Sequence, residues 1–159
     1  MQTADRGWKP RPTPKDHHGS KPTGLWLSVV SEDGGDSWSD YCKTTDTPLK
    51  CWRTELLLND DTIRWVRTPA EIDELTIEYG YCRVPEAEMF KDMIDHTRSV
   101  IYWERLAVKY SGIVIAPHCP ERRRQQDLWY YTWDCASGCV WSRNAVRELG
   151  ESRARSATC

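Results

Sequence analysis

The chain contains a single phenylalanine, and its aromatic content is carried instead by nine tryptophans and seven tyrosines. A core built from such rings takes indole N–H and phenol O–H groups inside with it, and each of those needs an acceptor. Net charge is scarce too, at −2 over 159 residues. That removes any global pull toward nucleic acid or an anionic membrane. No basic stripe interleaved with aromatics occurs outside the terminal segments, so nucleic acid is not an expected partner. No apolar run approaches the roughly 20 residues of a membrane span. No charged-then-apolar leader opens the chain, and the expected location is the cytoplasm. Cys-x2-Cys pairs are missing. Seven cysteines are an odd number, and without a leader they argue against a disulfide framework. His118-Cys119 and Cys135/Cys139 are the nearest approach to a zinc ligand set. The plainer reading of those thiols, as small buried hydrophobes, is preferred, and no metal is expected.

What is present is enough chain for one domain with its own core. Residues 1–23 hold four of the nine prolines, a charge of +3 and no hydrophobic period, which reads as a flexible basic arm. His17 and His18 within it read as part of a solvated tail. The domain is expected over 24–149, and the Ser/Arg-rich segment 150–159 as a second flexible tail.

The densest stretch is Trp129–Trp141, WYYTWDCASGCVW, with aromatic and β-branched residues on either side of Ala136-Ser137-Gly138. It reads as two strand segments around a bend, at the centre of the core. Further strands are expected near 24–30, 51–58, 62–66 and 112–116, with 128–133 and 138–142 supplied by the aromatic stretch. Asn59-Asp60-Asp61 reads as the turn of a hairpin joining 51–58 to 62–66. Gly112–Ala116, wholly apolar, predicts a strand buried on both sides. Trp26, Trp133 and Trp141 lie in apolar strand patterns and are expected to be buried.

Helices are marked by their ends. Ser37 reads as the N-cap of a short helix, SWSDYC. Thr68-Pro69-Ala70-Glu71 has the capping-box layout with proline at the first helical position. Ile72, Leu75, Ile77 and Tyr79 ride that helix and Gly80 stops it. Pro85–Thr97 reads as another helix, and Ile101–Tyr110 as an amphipathic one with Trp103, Leu106 and Tyr110 on one face. Pro117–Asp127 reads as an exposed polar loop carrying Glu121-Arg122-Arg123-Arg124. The sum is an α+β domain, a mostly antiparallel, split sheet with flanking helices.

Several of these segments resemble a known family. Gly24-Leu25-Trp26-Leu27-Ser28, followed by Ser37-Trp38-Ser39-Asp40-Tyr41-Cys42, is similar in order and spacing to the first strand, turn and helix of ADP-ribosyltransferases of the diphtheria-toxin-like and poly-ADP-ribose-polymerase type. Tyr110-Ser111-Gly112-Ile113-Val114 resembles a middle strand of that family. Ser137-Gly138-Cys139-Val140-Trp141, with Asn144-Ala145-Val146 after it, resembles the last catalytic strand. The resemblance implies an ADP-ribosyltransferase-like fold that binds NAD in a cleft lined by Trp26, Ser28, Tyr41 and Asp134. Trp26 and Tyr41 would hold the cofactor, and Asp134 and Ser28 would serve the chemistry. The family glutamate falls at Ser137, and the first-strand histidine has no equivalent. Asp134, three residues before Ser137, is the carboxylate left to oppose the positive charge that develops on the ribose as nicotinamide departs. The GLW-x-S opening and the WDC ending also resemble small proteins of actinobacteria and their phages, which implies a phage product acting on a host protein in the host cytoplasm. The alternative is a non-catalytic protein that binds a host protein through exposed tryptophan and arginine.

Overall fold

Four consecutive buried residues, Gly112–Ile115, form the strand around which the molecule is layered. Alternation along a strand sends Ile113 and Ile115 to one face and Val114 to the other, and each face joins a different hydrophobic cluster. The expectation of a strand buried on both sides is met here. The computed structural model describes residues 21–48, 52–82, 99–124 and 128–154. In chain order it has strands β1 (Leu25–Ser28), β2 (Trp52–Leu58), β3 (Ile63–Val66), β4 (Gly80–Cys82), β5 (Ser99–Ile101), β6 (Gly112–Ile115), β7 (Ser137–Val140) and β8 (Val146–Ala154). Helices are α1 (Ser37–Thr45), α2 (Pro69–Tyr79), α3 (Trp103–Lys109), α4 (Pro120–Arg124) and α5 (Leu128–Tyr131). The result is one small domain of mixed helix and strand with a split, mostly antiparallel sheet.

The larger sheet runs β1-β7-β6-β3, antiparallel except for the β3–β6 pair. One face packs on α2, α3 and α5 through Val66, Leu75, Leu106, Ile113, Trp129 and Trp133. The opposite face carries Leu25, Leu27, Ile63, Val114 and Val140, and β2 supplies Leu58 to it. β2 pairs with β8 in a separate two-stranded ribbon. Gly138 and Gly112 allow the close strand approach at the centre. A Cβ on Gly138 would lie 2.7 Å from Val114 Cγ2 and 2.8 Å from the Ile113 carbonyl oxygen.

Several expectations are corrected. Residues 128–133 are not a strand: Leu128–Tyr131 is a helical turn. The reason is packing: a helical turn buries the adjacent Trp129 and Tyr130 in the same cluster as Trp133 and leaves Tyr131 exposed, whereas strand alternation would send Trp129 and Tyr130 to opposite faces. The 51–58 and 62–66 segments are strands but not a hairpin. Asp60–Thr62 is a 3₁₀ turn that sends β3 to pair with β6, and β2 pairs with β8. The ribbon carries β8 through Ala154, so residues 150–154 are strand where a tail was expected. Pro120–Arg124 forms a helical turn inside the expected loop. Trp133 and Trp141 are buried, but Trp26 is 36% exposed. Ile77, at 83% exposure, faces away from the core that Ile72, Leu75 and Tyr79 enter. The expected helix at 85–97 and residues 1–20 lie outside the described residues.

Local signals for α2 hold in full. The Thr68 hydroxyl accepts from the Glu71 N–H, the Glu71 carboxylate accepts from the Thr68 N–H, Pro69 opens the helix, and Gly80 caps its end. Tryptophan N–H groups are partly matched. Trp129 Nε1 donates to Thr76 Oγ1 at 3.0 Å and Trp141 Nε1 to the Tyr110 carbonyl at 2.7 Å. Trp103 and Trp133 Nε1 are buried with no hydrogen-bond partner among the described residues. An unmatched buried donor of this kind costs about 1–3 kcal/mol.

Candidate functional site

Where β1 ends, its last residue stands opposite the first residue of β7: Ser28 pairs with Ser137 in the antiparallel ladder. Alternation puts Trp26 on the same side of β1 as Ser28, so neither enters the aliphatic cluster of the other face. Trp26 instead meets Trp133 edge-on, with ring centroids 4.9 Å apart. Helix α1 follows β1 after a tight turn and brings Trp38 alongside. Asp134 and Cys135 lie on the segment that enters β7. Together Lys21, Trp26, Ser28, Trp38, Asp134 and Ser137 line a half-open concavity of about 330 Å³. A second concavity of about 500 Å³ lies between the central sheet and β2, with Val29, Leu58, Trp65, Val114 and Asp36 in its wall. Trp26, Leu27 and Ser28 line both, so β1 is their shared wall.

Three of the four expected site residues, Trp26, Ser28 and Asp134, therefore meet in one concavity. Tyr41 does not line it. Its ring stacks on Trp38, with centroids 5.5 Å apart and planes 28° from parallel. Spacing on α1 explains this, since residues three apart share a helix face.

Ser28 is heavily engaged. Its hydroxyl donates to Asp36 Oδ1, accepts from the Trp38 N–H at 2.9 Å and lies 3.2 Å from the Ser37 hydroxyl. Asp36, rather than Ser37, is the N-cap of α1, its carboxylate accepting from the N–H groups of Trp38 and Ser39. Ser37 instead donates to the Ala136 carbonyl and ties α1 to the segment before β7. Asp36 is the one buried charged residue among the described residues, and the sequence reading missed it. Its signal was present: aspartate is as good an N-cap as serine and stands one residue earlier.

Asp134 is paired. Arg123 Nη2 donates to its Oδ1 at 2.8 Å, and Arg123 Nε donates to the Tyr131 carbonyl. The run Glu121–Arg124 is thus partly drawn into the fold, with Arg122 bonded to Asp73 across to α2. Cys135 lies among Asp134, Ser37 and Ser137, and burial pushes its thiol above the ordinary range. Ser137 donates to the Cys135 carbonyl at 3.0 Å.

The cysteine and histidine set does not gather. His118 Nε2 lies 2.8 Å from the Trp133 carbonyl, and Cys119 Sγ donates to Glu121 Oε1. Burial raises the Cys119 thiol to about 11 and the Cys139 thiol to about 12. Among the described residues no three His, Cys, Asp or Glu side chains are grouped to hold a metal ion.

No family model, curated protein or solved structure matches the chain. The chemistry of the concavity is therefore read from its own residues. It joins an exposed indole face, a second tryptophan, two hydroxyls, one ammonium and one half-buried carboxylate. Such a lining suits a small planar ring carrying polar substituents, and its volume is in the range of small-molecule sites. No described helix is long and apolar enough to cross a membrane.

Proposed function

We propose that the chain binds NAD, with the nicotinamide end seated between Trp26 and Asp134, in an ADP-ribosyltransferase-like layout. The observation that supports this reading is the convergence of Trp26, Ser28 and Asp134 on one concavity from the start and the end of the folded chain. Those are the segments that the family resemblance assigns to the nicotinamide end. A pyridinium ring is flat and cationic. An indole face and a nearby carboxylate both attract it.

Asp134 is the carboxylate of this site, and its ion pair with Arg123 offsets part of its charge. Ser28 supports the site by fixing α1 against β1, because its hydroxyl is already committed to Asp36 and the Trp38 N–H. Binding is thus better supported than turnover. Calorimetric titration with NAD, alongside chromatographic assay of released nicotinamide, tests both. Saturable heat that is lost in Trp26→Ala is the expected result. The absence of any heat with NAD would overturn the reading.

A second reading, a surface for a partner protein, draws on the stacked and exposed Trp38 beside Tyr41. Tryptophan and tyrosine dominate protein interfaces energetically. A protein that ignores NAD yet loses a partner on Trp38→Ala would favour it.

A further inference from the structure

Lys21 stands just before β1 and is the only cationic side chain among the described residues lining the smaller concavity. Its Nζ lies over the Trp26 ring, 5.0 Å from the centroid. The acid on the same wall, Asp134, is taken by Arg123, and Lys21 makes no ion pair with a described residue. An ammonium over an exposed indole is weakly held. It is also a point charge on a flexible four-carbon stem, able to reach a new partner without moving the backbone.

We propose that Lys21 is the phosphate-reading residue of this site and makes it select nicotinamide nucleotides over the nucleoside. The inference rests on the NAD reading above. A pyridinium ring stacking on Trp26 competes with the ammonium for the same indole face, and two cations do not share it. The displaced ammonium then meets the 5′-phosphate of the ligand, the nearest anion that such a ligand brings. Asp36 is the carboxylate bonded to Ser28 at the end of β1. It does not compete for Lys21, because it accepts from the Ser28 hydroxyl and from the N–H groups at the start of α1. The selectivity follows from charge: nicotinamide riboside brings only the pyridinium cation, and nicotinamide mononucleotide adds the phosphate.

The test is calorimetric titration of wild type, Lys21→Met and Lys21→Arg with nicotinamide mononucleotide and with nicotinamide riboside. Lys21→Met is expected to bind the mononucleotide about tenfold more weakly, the scale of one lost charge-assisted contact, and to bind the riboside as well as wild type or more tightly. Lys21→Arg is expected to keep the mononucleotide. Equal weakening of both ligands would show that Lys21 acts by packing on Trp26, and no change with either would show that it touches neither. Both outcomes overturn the proposal while leaving the NAD reading intact. If wild type binds neither compound nor NAD, both fall together.

Discussion

Arg123 Nη2 donates to Asp134 Oδ1 at 2.8 Å, joining the helical turn at Pro120–Arg124 to the segment that enters β7. The pair is partly exposed on both sides. Its contribution to stability is therefore small, and its influence on a bound cation is the larger consequence.

Asp134→Asn keeps the shape and removes the charge. It is expected to weaken NAD about fivefold to tenfold, because one attraction to the pyridinium is lost, while changing stability by less than about 1 kcal/mol. Calorimetry and urea titration read the two separately. Nicotinamide release at the wild-type rate in this variant would remove Asp134 from any catalytic role.

The tryptophans divide by burial. Trp133→Ala and Trp141→Ala should each cost about 3–5 kcal/mol, the usual range for a large buried aromatic. Trp26→Ala, at a ring that is 36% exposed, should cost clearly less. Denaturant midpoints compare the three, and a Trp26 variant as damaged as the others would mean that its ring is structural.

Asp36→Ala removes the acceptor for two N–H groups of α1 and for the Ser28 hydroxyl. A cost near the upper end of helix-cap substitutions, about 2 kcal/mol, is expected. Ser37→Ala loses the tie to Ala136 and the contact with the Ser28 hydroxyl but leaves the cap of α1 in place, and it should cost about half as much. The reverse order in thermal or urea unfolding would return the cap to Ser37.

Gly138→Ala places a methyl group 2.8 Å from the Ile113 carbonyl oxygen, a backbone atom fixed by the β6–β7 ladder. Overpacking of this kind costs about 1–3 kcal/mol. Unchanged unfolding would mean that the two strands separate more readily than their register implies.

Alkaline pH should destabilise the fold. Burial raises Cys139 from 9.0 to about 12 and Tyr130 from 10.0 to about 12. Burial, reinforced by Glu121, raises Cys119 to about 11. Each folded-state value lies above the unfolded one, so the folded chain holds these protons longer. Stability is full below about pH 9 and falls as pH rises toward 12. Cys139→Ala should make that fall shallower in urea titrations between pH 8 and 11. An unchanged slope would mean that the thiol is hydrated.

Short-range chemistry was enough to determine a good deal of this protein. The capping box of Thr68 and Glu71, the proline at helix start and Gly80 at its end act within a few residues, so α2 was legible in the sequence. The apolar run Gly112–Ile115 likewise announced a central strand, because only a doubly buried position tolerates it. Trp26, Ser28 and Asp134 were also named from the sequence, through a resemblance rather than through any force between them. Tertiary structure decided the rest. Leu128–Tyr131 has strand-forming residues, yet coils because a helical turn buries Trp129 and Tyr130 in one cluster, where a strand would send them to opposite faces. Asp60 sits in a hairpin-like turn, yet β2 finds β8 some ninety residues away, a pairing no local pattern encodes. The pairing of Asp134 with Arg123, the rest of Lys21 on Trp26 and the burial of Asp36 behind Ser28 are contacts between distant segments. They depend on where strands and helices come to lie, and only packing fixes that.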